Sequence, residues 1–299
     1  MGENKKVFFI INKYSGTGFR PEVEGRIIDR CSQLGYECTI EFTQSRGHAT
    51  ELARQAVKEN FKIAFAMGGD GTMNEVAQGL VHSDTIMGIL PKGSGNGLAR
   101  HLKIPLEFKN ALELLANHQV ISMDTFTVND HLSVNVSGIG FDGHIAGLFG
   151  KNGKRGLLGY VKLVMKEFSS FKEFPVELII DGKTVRSNAF ILAIANASQF
   201  GNNARVAPAA SVSDQQLDIC SIQKVPFSQA IGFAGKMFSG NIDKSSFVEM
   251  WKGQKIEMNF PSPMPYHIDG EPLPPAAAFK IILQPSSLRM LTPSGVSGF

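Results

Sequence analysis

Short apolar runs and amphipathic stretches take turns along the first part of the chain. Val7–Ile11 is an unbroken apolar run of the length of a buried strand. Pro21–Leu34 follows, with Val23, Ile27, Ile28 and Leu34 near a 3.6-residue spacing and Pro21 suited to a first helical turn. Tyr36–Thr43 alternates as a strand does, and His48–Asn60 sets Leu52, Ala56 and Val57 on one side of a helix. Strands over Lys62–Met67 and Ile86–Leu90, and helices over Met73–Val81 and Leu106–Asn117, complete the series. Strands alternating with helices predict right-handed crossovers and a doubly wound parallel sheet, whose ligands sit at the carboxyl ends of the strands.

The pattern changes after Asp124. Phe126–Val128 and Leu132–Val136 flank Asn129-Asp130, a hairpin signal, and Val176–Ile180 and Val185–Ile194 flank Asp181-Gly182. Further strands are expected over Gln216–Ile222, Lys255–Phe260 and Phe279–Leu283, with helical inserts over Leu157–Phe171 and Phe227–Phe238. This half reads as an antiparallel β-sandwich. The expected fold class is α/β plus β, with a nucleotide domain over residues 1–127 and a β-sandwich over 128–299. About the last 15 residues are expected to return to the first domain. The join is short, which predicts domains packed together with the active site in the cleft.

Composition narrows the picture. The 299 residues, 43% hydrophobic and 19% charged, are those of a folded protein. A net charge of +3, with no basic run interleaved with aromatics, gives no reason to expect a nucleic-acid partner. Cys31, Cys38 and Cys220 form no Cys-x-x-Cys pair, which suits reduced thiols and a cytoplasmic location. The polar Met1–Lys6 does not read as a signal peptide. No apolar run reaches the ~18 residues of a membrane span.

Candidate chemistry lies at the strand ends. Behind Lys62–Met67 comes Gly68-Gly69-Asp70-Gly71-Thr72-Met73-Asn74-Glu75, three glycines around one aspartate, and a helix starts at once. Glycine lets the backbone approach a ligand, and N–H groups at a helix N-terminus attract phosphate. The lone carboxylate would repel phosphate unless a cation or hydroxyl intervenes, so the loop reads as a nucleotide site working with Mg²⁺. A tight turn with Asp70 as N-cap is the plainer alternative. A second loop, Pro91-Lys92-Gly93-Ser94-Gly95-Asn96-Gly97, follows the next strand and would lie beside the first. Neither is a Walker A loop. Late in the chain, Asp269-Gly270-Glu271-Pro272 sets two carboxylates two residues apart, either a hairpin turn or a general base.

Taken together, these sites resemble the diacylglycerol kinase catalytic-domain family, which includes sphingosine kinases and soluble bacterial lipid kinases. The resemblance runs along essentially the whole chain. Asn12–Gly18 is similar to the family's first phosphate-side loop, and Thr43 with Gly47-His48-Ala49 to its Thr…Gly-His-Ala element. The resemblance implies a lipid kinase that uses ATP and Mg²⁺. Asn12, Thr43, Gly68, Gly69, Asp70, Gly71, Thr72, Asn74, Ser94, Gly95 and Asn96 would bind nucleotide. Asp70 would organise catalytic Mg²⁺, and Asp124 would reach that metal or the substrate's head group, unless it is only a strand-end carboxylate. Asp269 or Glu271 would be the base. Asp214, with the carbonyls of Ser211 and Gln216, would hold a structural Mg²⁺. Two departures stand out. Asn96-Gly97 replaces the Asn-Asp of many bacterial members and is closer to the sphingosine-kinase loop, and Gln215 follows Asp214 where Gly is common.

The expected partners are a lipid substrate and a transient membrane surface, with a homodimer left open. Lys151, Lys154 and Arg155 beside Leu157, Leu158 and Tyr160 are a candidate membrane contact, a solvated loop being the plainer reading. An NAD kinase, which shares the Gly-Gly-Asp-Gly loop, and a non-catalytic sensor are the alternatives. The second loop and the late acidic motif argue against the former, and the intactness of all three motifs against the latter.

Overall fold

The computed structural model describes residues 5–16, 19–149 and 157–295, without the side chains of Leu157, Leu158 and Tyr160. The expected contact at Lys151, Lys154, Arg155, Leu157, Leu158 and Tyr160 therefore lies outside the described residues, as do Thr17 and Gly18 of the first loop. The chain divides into two compact units, Met1–Met123 with Pro285–Phe299, and Asp124–Gln284.

The first unit runs β1 (Lys6–Ile11), α1 (Glu22–Leu34), β2 (Glu37–Phe42), α2 (His48–Lys58), β3 (Ile63–Gly68), α3 (Asp70–Leu80), β4 (Ile86–Pro91), α4 (Gly97–His101) and α5 (Phe108–Leu112), the last continued by a 3₁₀ turn at Glu113–Leu115. The four strands are parallel in the order β4-β3-β1-β2. β1 and β3 are central and buried over almost their whole length, as strands with both faces covered must be. Phe9 and Phe65 stack across them at 5.1 Å. Parallel pairing sends all four carboxyl ends to one edge, so the loops that follow β1, β2, β3 and β4 leave from the same side.

Two helices differ from the sequence pattern. α3 starts at Asp70, three residues before Met73, because extended Gly69 is its N-cap and an acidic first residue suits a helix start. The helix expected over Leu106–Asn117 is shorter, and α4 is too brief to show periodicity.

The second unit is antiparallel. β5 (Gln119–Val128) enters it and pairs with β6 (His131–Ser133) through Asn129-Asp130, both at positive φ, which makes the expected tight hairpin. β7 (Val136–Gly140), α6 (Phe141–Phe149), α7 (Leu157–Phe168), β8 (Phe174–Ile180), β9 (Lys183–Ala189), β10 (Ile191–Ala195), β11 (Leu217–Ile222), α8 (Ala230–Ser239), β12 (Val248–Gly253), β13 (Lys255–Ile268) and β14 (Glu271–Thr292) follow. The single strand expected over Val185–Ile194 is two. β9 pairs with β8, whereas β10 pairs with β7 and β11. They part at Phe190, whose N–H donates to Ile222 and whose carbonyl accepts from Phe141.

β13 changes partners along its length. It pairs with β8 over Ile256–Met258 and with β7 over Tyr266–Ile268. Its pairing with β14 slips between Asn259 and Tyr266, around Pro261 and Pro263, which cannot donate to a ladder. Phe126, Leu178, Leu192, Ile219, Ile256 and Ile281 lie in the buried core of this unit. No helix among the described residues is long and apolar enough to cross a membrane.

Candidate active site

The two glycine loops of the first unit meet backbone to backbone. β3 and β4 pair as far as Gly68 and Pro91, and the N–H of Lys92 donates to the Gly68 carbonyl at 2.8 Å. A Cβ on Gly93 would stand 2.7 Å from the Gly69 Cα, so only glycine permits this approach.

Asp70 fastens the loops together. Its Oδ2 accepts the Asn96 N–H at 3.0 Å and its Oδ1 accepts the Gly97 N–H at 2.8 Å. Asp70 thus caps the start of α4 from another helix, and Gly97 takes part through its backbone. Asn96, at φ +51°, closes its own loop, accepting from the Gly93 N–H and donating to the Gly93 carbonyl, both at 2.9 Å. Ser94 is exposed at the tip beside half-buried Gly95. Asn12 reaches the same place, donating from Nδ2 to Thr72 Oγ1 at 3.1 Å. Thr72, Asn74 and Thr43 are buried, and Asn74 Oδ1 accepts from Gln78 at 2.6 Å. Asn12, Gly68, Gly69, Asp70, Thr72, Gly95 and Asn96 therefore belong to one loop cluster, with Gly71 in the first turn of α3. Asn74, within α3, and Thr43, just after β2, are buried.

Glu75 has a role the sequence did not reveal. Its carboxylate accepts the N–H groups of Gly47 and Ala49 at 3.0 and 3.3 Å, capping the start of α2. Lys92 stands in the second loop. Its ammonium is shielded from water, has no hydrogen-bond partner and lies 5.5 Å from the Phe19 ring centroid. Burial pulls its pKa below the ordinary lysine value, leaving a desolvated cation beside the glycine loops.

In the second unit the late acidic motif is the β13–β14 turn, with Asp269 at φ +48° and Gly270 at +88°. Its two carboxylates differ. Asp269 is buried and accepts from Ser133 Oγ at 2.7 Å, from the Val134 N–H at 2.9 Å and from the Asn135 N–H at 3.0 Å. Glu271 is exposed. The Asp269 oxygens are thus committed to three donors within the unit, whereas Glu271 faces solvent. His267 supports the same turn, its Nδ1 accepting the Gly270 N–H at 3.1 Å.

Asp124 is wholly buried and accepts the Gln215 N–H on Oδ2 at 2.8 Å, while its own N–H donates to the Val212 carbonyl. It ties the 212–215 loop to β5, in the middle of which it stands and not at its end. Asp214, the expected ligand of a structural Mg²⁺, carries instead the Lys252 ammonium at 2.8 Å and accepts the Gln216 N–H at 3.1 Å. The residues around Asp214 thus do not fit a Mg²⁺ site. Among the described residues no three His, Cys, Asp or Glu side chains converge on a metal position. Nucleotide-borne Mg²⁺ needs only one or two protein carboxylates.

Residues 6–128 match the family described as "Diacylglycerol kinase catalytic domain", and residues 136–292 match "YegS C-terminal NAD kinase beta sandwich-like domain". The chain is 27% identical over 272 residues to a diacylglycerol kinase of Bacillus subtilis (strain 168), covering 89% of this chain and 90% of that protein. It is 27% identical over 281 residues to a probable YegS-like lipid kinase of Chromohalobacter salexigens, covering 92% and 90%. A crystal structure of a putative diacylglycerol kinase from Bacillus anthracis shares the fold, with a TM-score of 0.81 at 21% identity over 99% of this chain and 100% of that one. With its parallel α/β unit and its antiparallel YegS-type unit, the chain belongs to the diacylglycerol kinase catalytic-domain family of lipid kinases.

Proposed function

We propose that the protein transfers the γ-phosphoryl group of ATP to a lipid hydroxyl, with Mg²⁺ as the nucleotide's counter-ion. The observation that carries this reading is the joining of the two glycine loops at Gly69 and Gly93 by Asp70. That arrangement brings two glycine backbones together at the start of α3, a setting suited to phosphate, with Lys92 in the second loop.

In this reading the first unit holds the nucleotide and the second supplies the lipid site and the base. Glu271 takes the proton of the acceptor hydroxyl as its oxygen attacks the γ-phosphorus, and ADP leaves with the bridging oxygen. Asp269 positions the turn through Ser133, Val134 and Asn135. Mg²⁺, when bound, neutralises charge on the phosphates. Catalysis is then mostly positioning and charge stabilisation.

Diacylglycerol is the first acceptor to test, because the Bacillus subtilis relative carries that name. The second loop's likeness to sphingosine kinases makes a sphingoid base the next. The acceptor is drawn from a bilayer, and α7 offers Val161, Met165, Lys162 and Lys166, all exposed, for that contact.

The test is purified protein with labelled ATP, Mg²⁺ and a panel of diacylglycerol, sphingoid base, other membrane lipids and NAD. Label on a lipid supports the proposal. Label on NAD alone, or on nothing, overturns it.

A further inference from the structure

The loop that the family resemblance marks for a structural Mg²⁺ holds a cation of its own. β11 and β12 pair antiparallel with Asp218 directly opposite Lys252. That register brings the Lys252 ammonium to 2.8 Å from Asp214 Oδ2 and 3.5 Å from Asp218 Oδ2. Asp218 is 3% exposed, and its Oδ2 has no hydrogen-bond partner, so Lys252 supplies its compensating charge.

Other polar groups of the loop are engaged as well. Asp214 Oδ1 accepts the Gln216 N–H at 3.1 Å. Gln215 adopts φ +59°, donates its N–H to Asp124 at 2.8 Å, and receives on its carbonyl the side chain of Gln254 at 3.0 Å. Mg²⁺ requires near-octahedral oxygen donors at about 2.0–2.1 Å. Seated on Asp214 it would stand against a like-charged ammonium.

We infer that Lys252 takes the place of the loop-bound Mg²⁺, so that the fold of the second unit needs no divalent cation. Divalent ions are then required only with the nucleotide. This does not depend on which acceptor is phosphorylated.

The test is thermal unfolding of the full chain without ATP or lipid, in chelator and in millimolar Mg²⁺, for the wild type, Lys252→Met, Asp214→Asn and the double variant. The wild-type melting temperature is expected to be the same in both buffers. Lys252→Met is expected to melt lower in chelator and to recover with Mg²⁺, and the double variant to lose that recovery. A wild-type Mg²⁺ response that Asp214→Asn abolishes would overturn the inference, as would a Lys252→Met loss that Mg²⁺ leaves untouched. Should Lys252→Met fail to fold, Lys252→Arg keeps the charge and is expected to ignore Mg²⁺ like the wild type. A Mg²⁺-dependent Lys252→Arg would again overturn it.

Discussion

His267 Nε2 lies 3.3 Å from Asp142 Oδ2, with both side chains almost wholly out of water. His267 Nδ1 accepts the Gly270 N–H, so the ring proton is on Nε2 and faces the carboxylate. The pair exists because Gly138 makes room for it. A Cβ there would fall 1.6 Å from Asp142 Oδ2 and 2.8 Å from His267 Nε2. The chain of contacts runs from Asp142 at the start of α6, through the ring, to the turn that carries Asp269 and Glu271.

Removing His267 takes from the buried Asp142 carboxylate the ring proton that faces it, and His267→Ala is expected to cost about 1–3 kcal/mol of stability. Adding Asp142→Asn should restore part of that loss, a non-additivity that a double-mutant cycle in urea unfolding measures. Simple addition of the two single losses would mean that the residues are not coupled.

Asp70→Asn keeps the size of the side chain but retains only one acceptor oxygen for the Asn96 and Gly97 N–H groups. A hydrogen bond to a charged group contributes about 1.5–3 kcal/mol, which corresponds to roughly 10- to 150-fold if it is expressed in ATP binding and turnover. Steady-state kinetics should show the fall in kcat/KM for ATP. Wild-type kinetics in this variant would remove Asp70 from the proposed site.

Glu271→Gln and Asp269→Asn should fail in different ways. Loss of the general base lowers kcat by about 10²–10⁴, with melting temperature and nucleotide affinity near wild type. Asp269→Asn strands at least one of three buried donors and should cost about 1–3 kcal/mol of stability. Calorimetric titration with a non-hydrolysable ATP analogue, beside thermal melts, separates the two. Identical behaviour would show that the roles are misassigned.

Burial, reinforced by Cys38, pushes the Cys31 thiol up to about 12, and burial with Asp218 nearby does the same to Cys220. From the ordinary value of 9.0 up to about 12 the unfolded chain releases protons that the folded chain keeps. Stability contributed by these thiols is whole below that range and falls as pH rises through it. Iodoacetamide at pH 8 should therefore modify half-buried Cys38 and spare Cys31 and Cys220, and mass spectrometry with and without urea reads the difference. Equal labelling of all three in the folded protein would contradict the burial.

Local periodicity was enough to find the alternation of β1 to β4 with their helices and the two early hairpins, because each depends on side-chain spacing within one segment. The glycine loops were legible for the same reason, being short strings at strand ends. The division of Val185–Ile194 at Phe190 was not, because β9 and β10 part through hydrogen bonds to residues more than thirty positions away. Nor was Glu75, whose partners at Gly47 and Ala49 belong to another helix.

By itself, then, the sequence determined which loops are built of glycine, where carboxylates stand near them, and which family carries that combination. Only the tertiary structure decided what each carboxylate does. Asp70 is spent across two loops, Asp269 on Ser133 and its neighbours, and Asp214 on Lys252, while Glu271 stays exposed. The reason is physical. A carboxylate's chemistry follows from burial and from the donors that reach it, and the donors to Asp70 and Asp269 arrive from chain segments 26 to 136 positions away.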